Sequence, residues 1–379
     1  MIETSVFMNL GIGVTVFLIS LLFALNMLNM SKPVKILYVL GLLVVPFYLE
    51  FNSLVFNYGL GMVNWVLLIK CLKSFNVDMG DPLKNMLYTM KDLRMKKYDP
   101  KKKKEIEKDV HYLSTPVNVL MMAAPYFITF VAMVYVEGQL STFLNMYNIA
   151  ETSGFTYFYR SALAAAFYGL FMSVMIQNLT FGMTILYMAL AQICFAASYL
   201  TKAMSKSTTT FFEEFGYEVG DQRPYYQFEK PLVITGVGSF WTENWHTLLV
   251  DIFVVVPKSV YKSSGKPMKT VFALSAFLFS GLFHDYPIAA STQAISLDSM
   301  IFFGLQGLAV AFEYFVFATI PRKSMPGIVF GIIFGNLVMI YTSHHFIRPY
   351  QDMDLFGELQ YAMFEAPREL AEMLPLPVH

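Results

Sequence analysis

Charge is scarce in this sequence. Only 14% of its 379 residues are Asp, Glu, Lys or Arg, against about 25% in a soluble domain. The 27 basic and 27 acidic residues cancel, so no net field favours a nucleic-acid partner. Cysteine is rarer still. Cys71 and Cys194 are the only two, and both sit in apolar surroundings. That excludes a disulfide framework and a cysteine-rich metal site. Six histidines are too few for the clustered ligands of a membrane di-iron oxidase. Only His344 and His345 adjoin, and consecutive helical residues diverge by about 100°. There is no GxxxxGK[ST] phosphate loop and no G-x-S-x-G nucleophile elbow. Neither a repeat of fixed period nor a low-complexity segment is present.

What remains is apolar. Hydrophobic residues make up 56% of the chain, and mean hydropathy is positive. A membrane span needs roughly 20 mostly apolar residues. Such runs occur at 7–28, 34–56, 117–137, 158–177, 181–201, 270–290, 298–320 and 327–347, with a shorter one at 58–72. The expected fold is an all-α polytopic membrane protein with about 8–10 transmembrane helices. The opening MIETSVFMNL has no basic n-region and no small-residue cleavage site, so the first run is expected to be a retained span.

Loop charge sets orientation. The run KDLRMKKYDPKKKKEIEKD at 91–109 is expected to be cytosolic, and so are Lys32 and Lys35. A solvated loop explains it best, with contact to anionic lipid as the other use. These assignments put the N-terminus in the lumen. The count of crossings between 138 and 257 does not close unless 231–256 crosses or breaks within the membrane. That segment carries Glu243, His246 and Asp251 among its valines, so a re-entrant or interfacial helix is expected there. Broken backbone at that depth is tolerated only where protein buries it or a cavity adjoins it. The expected organisation is one domain over 1–379, with N-terminal spans in 1–90, a basic loop at 91–115 and a functional region at 230–348.

Polar residues inside the apolar runs are the candidates for chemistry. His284 lies in FALSAFLFSGLFHDYP, four and three positions after Ser280 and Gly281, which share its helical face. A neutral histidine at membrane depth is available as a base. It is equally suited to a plain interhelical hydrogen bond. If 240–256 is helical, Trp241, Trp245, Leu248, Leu249, Ile252 and Val256 form an apolar stripe, and His246 falls off it. An interfacial helix with tryptophan anchors has the same pattern. His246 and Asp251 also fit an H-x4-D acyltransferase spacing, but helical geometry points the two about 140° apart. Glu313, in VAFEYFVFA, needs a partner or water at its depth. It would orient a histidine, face a channel or make a structural hydrogen bond.

The strings KPLVITGVGSFWTENWH, VPKSVY and FLFSGLFHDY together resemble the wax synthase branch of the membrane-bound O-acyltransferase superfamily. The matching residues are 240–246, 260–261 and 280–284, in order, and 302–314 is similar to the next helix of that family with Glu313 in its acidic position. The resemblance implies a long-chain-alcohol O-fatty-acyltransferase that forms a wax ester from fatty acyl-CoA and a fatty alcohol or another lipid alcohol. It implies His284 as general base, with His246 as the second polar catalytic residue. Asn244, Trp241, Trp245, Ser280 and Glu313 would contact substrate. Where the family has a basic pair, this chain has Thr242, Glu243 and Asn244. Lys258, Lys262 and Lys266 would then meet the coenzyme A phosphates.

Acyl-CoA would be a co-substrate, with no metal and no other cofactor expected. The partners implied are the two lipid substrates and membrane lipids, and the implied location is the endoplasmic reticulum membrane. Sterol, diacylglycerol and secondary-metabolite acceptors stay open within the same chemistry. A transporter or channel, suggested by Glu313, His284 and the broken segment, is the alternative of another class, and an inactive scaffold is a third.

Overall fold

The computed structural model describes residues 26–48, 53–76, 85, 116–146, 154–202, 206–220, 234–245, 253, 269–361 and 365. Among these the regular structure is helical. In chain order the helices are α1 (Lys32–Tyr48), α2 (Leu54–Lys73), α3 (Pro116–Met146), α4 (Gly154–Thr201), α5 (Lys206–Gly220), α6 (Lys269–Thr292), α7 (Asp298–Phe317), α8 (Met325–Asp352) and α9 (Leu355–Gln360). A broken segment stands before α6, with one helical turn over Val237–Ser239 and a π-helical turn over Phe240–Asn244.

Among the described residues, four stretches are long and apolar enough to cross a membrane: Leu54–Leu72, Val271–Thr292, Asp298–Phe317 and Met325–Asp352. Their outward faces carry exposed Leu, Ile, Val and Phe side chains, as on α8 at Ile328, Val329, Ile332 and Ile333. Exposed apolar residues at helical spacing suit a lipid surround. The expected span at 7–28 lies almost wholly outside the described residues, as does the basic loop at 91–109.

Two expectations are corrected. The runs 158–177 and 181–201 are not two spans but one helix, α4, of 48 residues, about 72 Å long. Its polar midpoint reads as a break in the sequence, yet Gln177 and Asn178 are both buried, and continuous backbone satisfies its own hydrogen bonds. The run 34–56 is also divided. α1 ends at Tyr48 and α2 begins at Leu54, where the Ser53 hydroxyl accepts a hydrogen bond from the Phe56 N–H at 3.4 Å, a standard N-terminal cap. The short run 58–72 is thereby the body of a full-length helix.

Packing around α6 organises the C-terminal region. α6 lies between α2 and α7, α7 packs on α8, and α8 packs on α4. Close approach of α6 and α7 depends on Gly281, where a methyl group would stand 2.6 Å from Met300 Cα. The following turn is held by Asp285. Its two carboxylate oxygens accept the N–H groups of Ser299 and Met300, each at 3.0 Å. Those amides are orphan donors of the first turn of α7, so a residue of α6 caps its successor. A large core cluster joins α4, α7, α8 and α9 through Tyr168, Phe171, Phe302, Phe303, Phe346, Tyr350 and Phe356.

Candidate active site

Segment 234–245 sits where the sequence predicts re-entrant or interfacial backbone, and its first turns are buried in protein. Gly236 through Phe240 are all buried, against α7 and α8. Burying a helix start leaves N–H groups without partners, and Glu313 on α7 supplies them. Its Oε1 accepts the Val237 N–H at 2.9 Å and its Oε2 accepts the Gly238 N–H at 2.8 Å. An anion at a helix start also suits the local dipole. Arg322 stands 3.6 Å from Oε2 and covers the Phe317 ring, 4.7 Å from its centre. Gly236 is required on two counts. Its φ is +154°, and a methyl group there would meet Glu313 Oε1 at 2.5 Å. On the other side the segment lies along glycines of α8. A side chain at Gly331 would strike the Thr235 carbonyl, and one at Gly335 would meet Ile234 and the Gly236 backbone.

The segment does not continue as one α-helix through its tryptophans. The Trp245 N–H bonds the Phe240 carbonyl at 2.8 Å, a π-type step, and Trp245 itself is extended (ψ 165°). The single apolar stripe expected over 240–256 is therefore interrupted at Trp245. Even so, Trp241 and Trp245 meet edge to face, 6.0 Å between ring centres. The Trp241 indole N–H donates to Gln306 Oε1 at 3.1 Å. Gln306 Nε2 in turn donates to the Thr342 hydroxyl at 2.7 Å. This bridge through α7 to α8 fixes the tryptophan wall.

Behind that wall is a cavity of about 460 Å³. It is bounded by the broken segment and by α4, α6, α7 and α8, and its lining is mostly apolar. α6 contributes Phe277, Ser280 and His284, and α4 contributes Ala162, Ala165, Ala166 and Gly169. The α4 residues share one helical face by their spacing. Small side chains there leave the space that Phe302, Phe303, Trp241 and Trp245 close from the far side. Thr242, Ser280, Asn336 and Ser343 are the polar spots, and His284 is the one imidazole, amine or carboxylate among the described lining residues.

His284 is held on several sides. It is buried, and its ring stacks on Phe303 with 5.3 Å between centres and 13° between planes. Phe346 and Phe283 meet it edge-on at 4.9 and 5.1 Å. Nδ1 lies 3.2 Å from the Tyr350 hydroxyl. A pocket with a few convergent polar groups and one titratable ring has the usual form of a small-molecule site.

Of the residues singled out in sequence, the structure brings Trp241, Trp245, Ser280 and His284 to one cavity. Asn244 is buried at the end of the π turn and does not border the cavity. Glu313 does not border it either. Both of its oxygens face the segment's backbone, the structural hydrogen bond among its alternatives. His246, Asp251, Lys258, Lys262 and Lys266 lie outside the described residues. Sequence reasoning does not reach Tyr350, Gln306, Asp285 or the small face of α4. Nothing local marks an aromatic residue in a chain with 36 Phe and 23 Tyr. Asp285, next to His284 in HDYP, is the one carboxylate within reach of notice.

One comparison with known proteins overlaps the site. Residues 224–305 match the model of the Membrane bound O-acyl transferase family. The match spans the broken segment, all of α6 and the start of α7, and covers under a quarter of the chain. No curated protein and no solved structure matches. The helical architecture and the four long apolar helices among the described residues support an integral, polytopic membrane protein, and its residues 224–305 are similar to the membrane-bound O-acyltransferases.

Proposed function

We propose that this chain is an acyl-CoA-dependent O-acyltransferase that esterifies a long-chain alcohol, giving a wax ester. The observation that carries the proposal is the buried His284, which lies within the matched region and is the one imidazole among the described lining residues of a largely apolar cavity. An apolar lining solvates lipid chains, and the imidazole is where a hydroxyl proton can go.

The chemistry needs little more. The alcohol approaches His284, and its proton passes to the ring nitrogen as the oxygen attacks the thioester carbonyl carbon. The tetrahedral intermediate collapses with cleavage of the carbon–sulfur bond. The imidazolium returns the proton to the departing coenzyme A sulfur. General base help of this kind contributes typically 10² to 10⁴-fold. Within this reading His246 hydrogen-bonds the carbonyl oxygen, in the manner of an oxyanion donor. Lys258, Lys262 and Lys266 meet the coenzyme A phosphates, and the enzyme works in the endoplasmic reticulum membrane.

The test is an assay of acyl-CoA with fatty alcohol on membranes carrying the parent chain or His284→Ala at matched expression. The reading expects ester from the parent and none above background from the variant. Ester from a sterol or diacylglycerol instead would keep the chemistry and change the acceptor. Undiminished activity in His284→Ala would refute the base assignment. No ester from any lipid alcohol would refute the function.

A further inference from the structure

Beyond the cavity, the buried polar chain behind His284 runs through two tyrosines from different ends of the protein. Tyr350 is in the last full turn of α8 and is 2% exposed. Its hydroxyl lies 3.2 Å from His284 Nδ1 and 3.2 Å from the hydroxyl of Tyr58 on α2. Aromatic neighbours fix where that hydroxyl stands. Tyr58 meets the Tyr350 ring edge-on at 5.8 Å, Tyr168 lies against it at 6.0 Å, and Phe346 meets it at 5.5 Å. A phenol oxygen carries one donor and can accept as well, so a tyrosine between two partners can accept from one and donate to the other.

We propose that Tyr350, backed by Tyr58, is the positioning residue that holds His284 with its proton on Nδ1. This rests on the reading of His284 as the general base. The imidazole Nδ1–H donates to the Tyr350 oxygen, and the Tyr350 O–H donates on to Tyr58. With Nδ1 protonated, the lone pair of the neutral ring is on Nε2, and that nitrogen takes the alcohol proton. The opposite direction, Tyr350 O–H to Nδ1, puts the proton on Nε2 and removes the base. Which nitrogen is protonated is set by the bond that the other makes. Tyrosine is well suited here. It orients the ring without placing a formal negative charge in a low-dielectric core, which a buried carboxylate would do at considerable cost. Phe303 fixes the plane of the ring, and Tyr350 fixes its rotation within that plane.

The test has two arms that fail separately. In protein labelled with 15N-histidine and held in detergent micelles, the imidazole signals missing from His284→Gln are those of His284. The expected spectrum shows Nδ1 protonated and Nε2 unprotonated in the parent, and mixed tautomers in Tyr350→Phe. An Nε2-protonated ring in the parent, or an unchanged tautomer in Tyr350→Phe, overturns the proposal whether or not ester is formed. The second arm is kinetic. Tyr350→Phe is expected to lower kcat about tenfold or more, the loss of one hydrogen bond to a charged transition-state group. KM for both substrates should hold within twofold. Tyr58→Phe should lower kcat in the same direction by less. A KM rise at constant kcat would instead make Tyr350 part of the cavity's shape and overturn the positioning role. The expected spectra from a protein that makes no ester would leave the tautomer assignment standing and remove the acyltransferase reading.

Discussion

Glu313 Oε2 accepts the backbone N–H of Gly238 at 2.8 Å, 75 residues away along the chain. With its sister bond to Val237, this contact seats a broken helix start inside the protein. Both oxygens are needed, because each meets a separate N–H. Glu313→Gln keeps one acceptor and turns an NH2 donor toward the other amide. Bonds to charged groups contribute about 1.5–3 kcal/mol each, so the variant is expected to lose about 2 kcal/mol of stability. Thermal unfolding in detergent checks this. Activity should fall with it, since Trp241 follows on the same segment, and KM for the lipid should carry most of the change.

Asp285 makes the matching contact at the start of α7. It neighbours His284 in sequence but faces the amides of Ser299 and Met300 rather than the cavity. Asp285→Ala is expected to lose about 1–2 kcal/mol, the usual cost of a missing N-terminal cap. The decisive comparison is kcat per folded molecule. A small loss beside a large one for His284→Ala supports a capping role. Equal losses in the two variants would make Asp285 part of the chemistry.

Gly281 tests the approach of α6 to α7. An added methyl group meets backbone atoms, Met300 Cα at 2.6 Å and Met300 N at 3.0 Å, and backbone cannot swing aside as a side chain can. Gly281→Ala should therefore cost about 1–3 kcal/mol by overpacking, despite the better helix propensity of alanine. Ser280→Ala, one position earlier, should cost less. Unfolding temperatures of the pair read the difference, and a more stable Gly281→Ala protein would contradict the contact.

On the proposed function, the small face of α4 sets how much chain the cavity holds. Ala165→Phe projects a ring into a space of about 460 Å³. The expected result is a shift of the ester products toward shorter chains, with His284-dependent activity retained on short substrates. Product profiles by mass spectrometry from a mixed-length substrate pool would show it. An unchanged profile would place the lipid chain elsewhere.

Several parts of this site are legible in the sequence. Ser280, Gly281 and His284 stand at helical spacing in an apolar run, so their common face is predictable from period alone. The charge argument for a break near 231–256 counts two crossings over 158–201, and the single helix α4 closes that count without it, so the broken turn over 234–245 is a finding of the structure. The length of α4 is not legible, because Gln177 and Asn178 resemble a loop until neighbouring helices bury them. Glu313 is visible as a costly carboxylate, but its three readings differ only in what lies opposite, and that is tertiary information.

Composition and period, then, determined an all-helical membrane protein and named the histidine to test. Both follow from local rules: apolar run length against bilayer thickness, and the cost of polar groups at depth. What tertiary structure decided is which groups meet. Tyr58 and Tyr350 are 292 positions apart, and Trp241 finds Gln306 across 65. No local pattern encodes such pairs. They exist because α2, α6, α7 and α8 bury their polar side chains against one another, where each must find a partner.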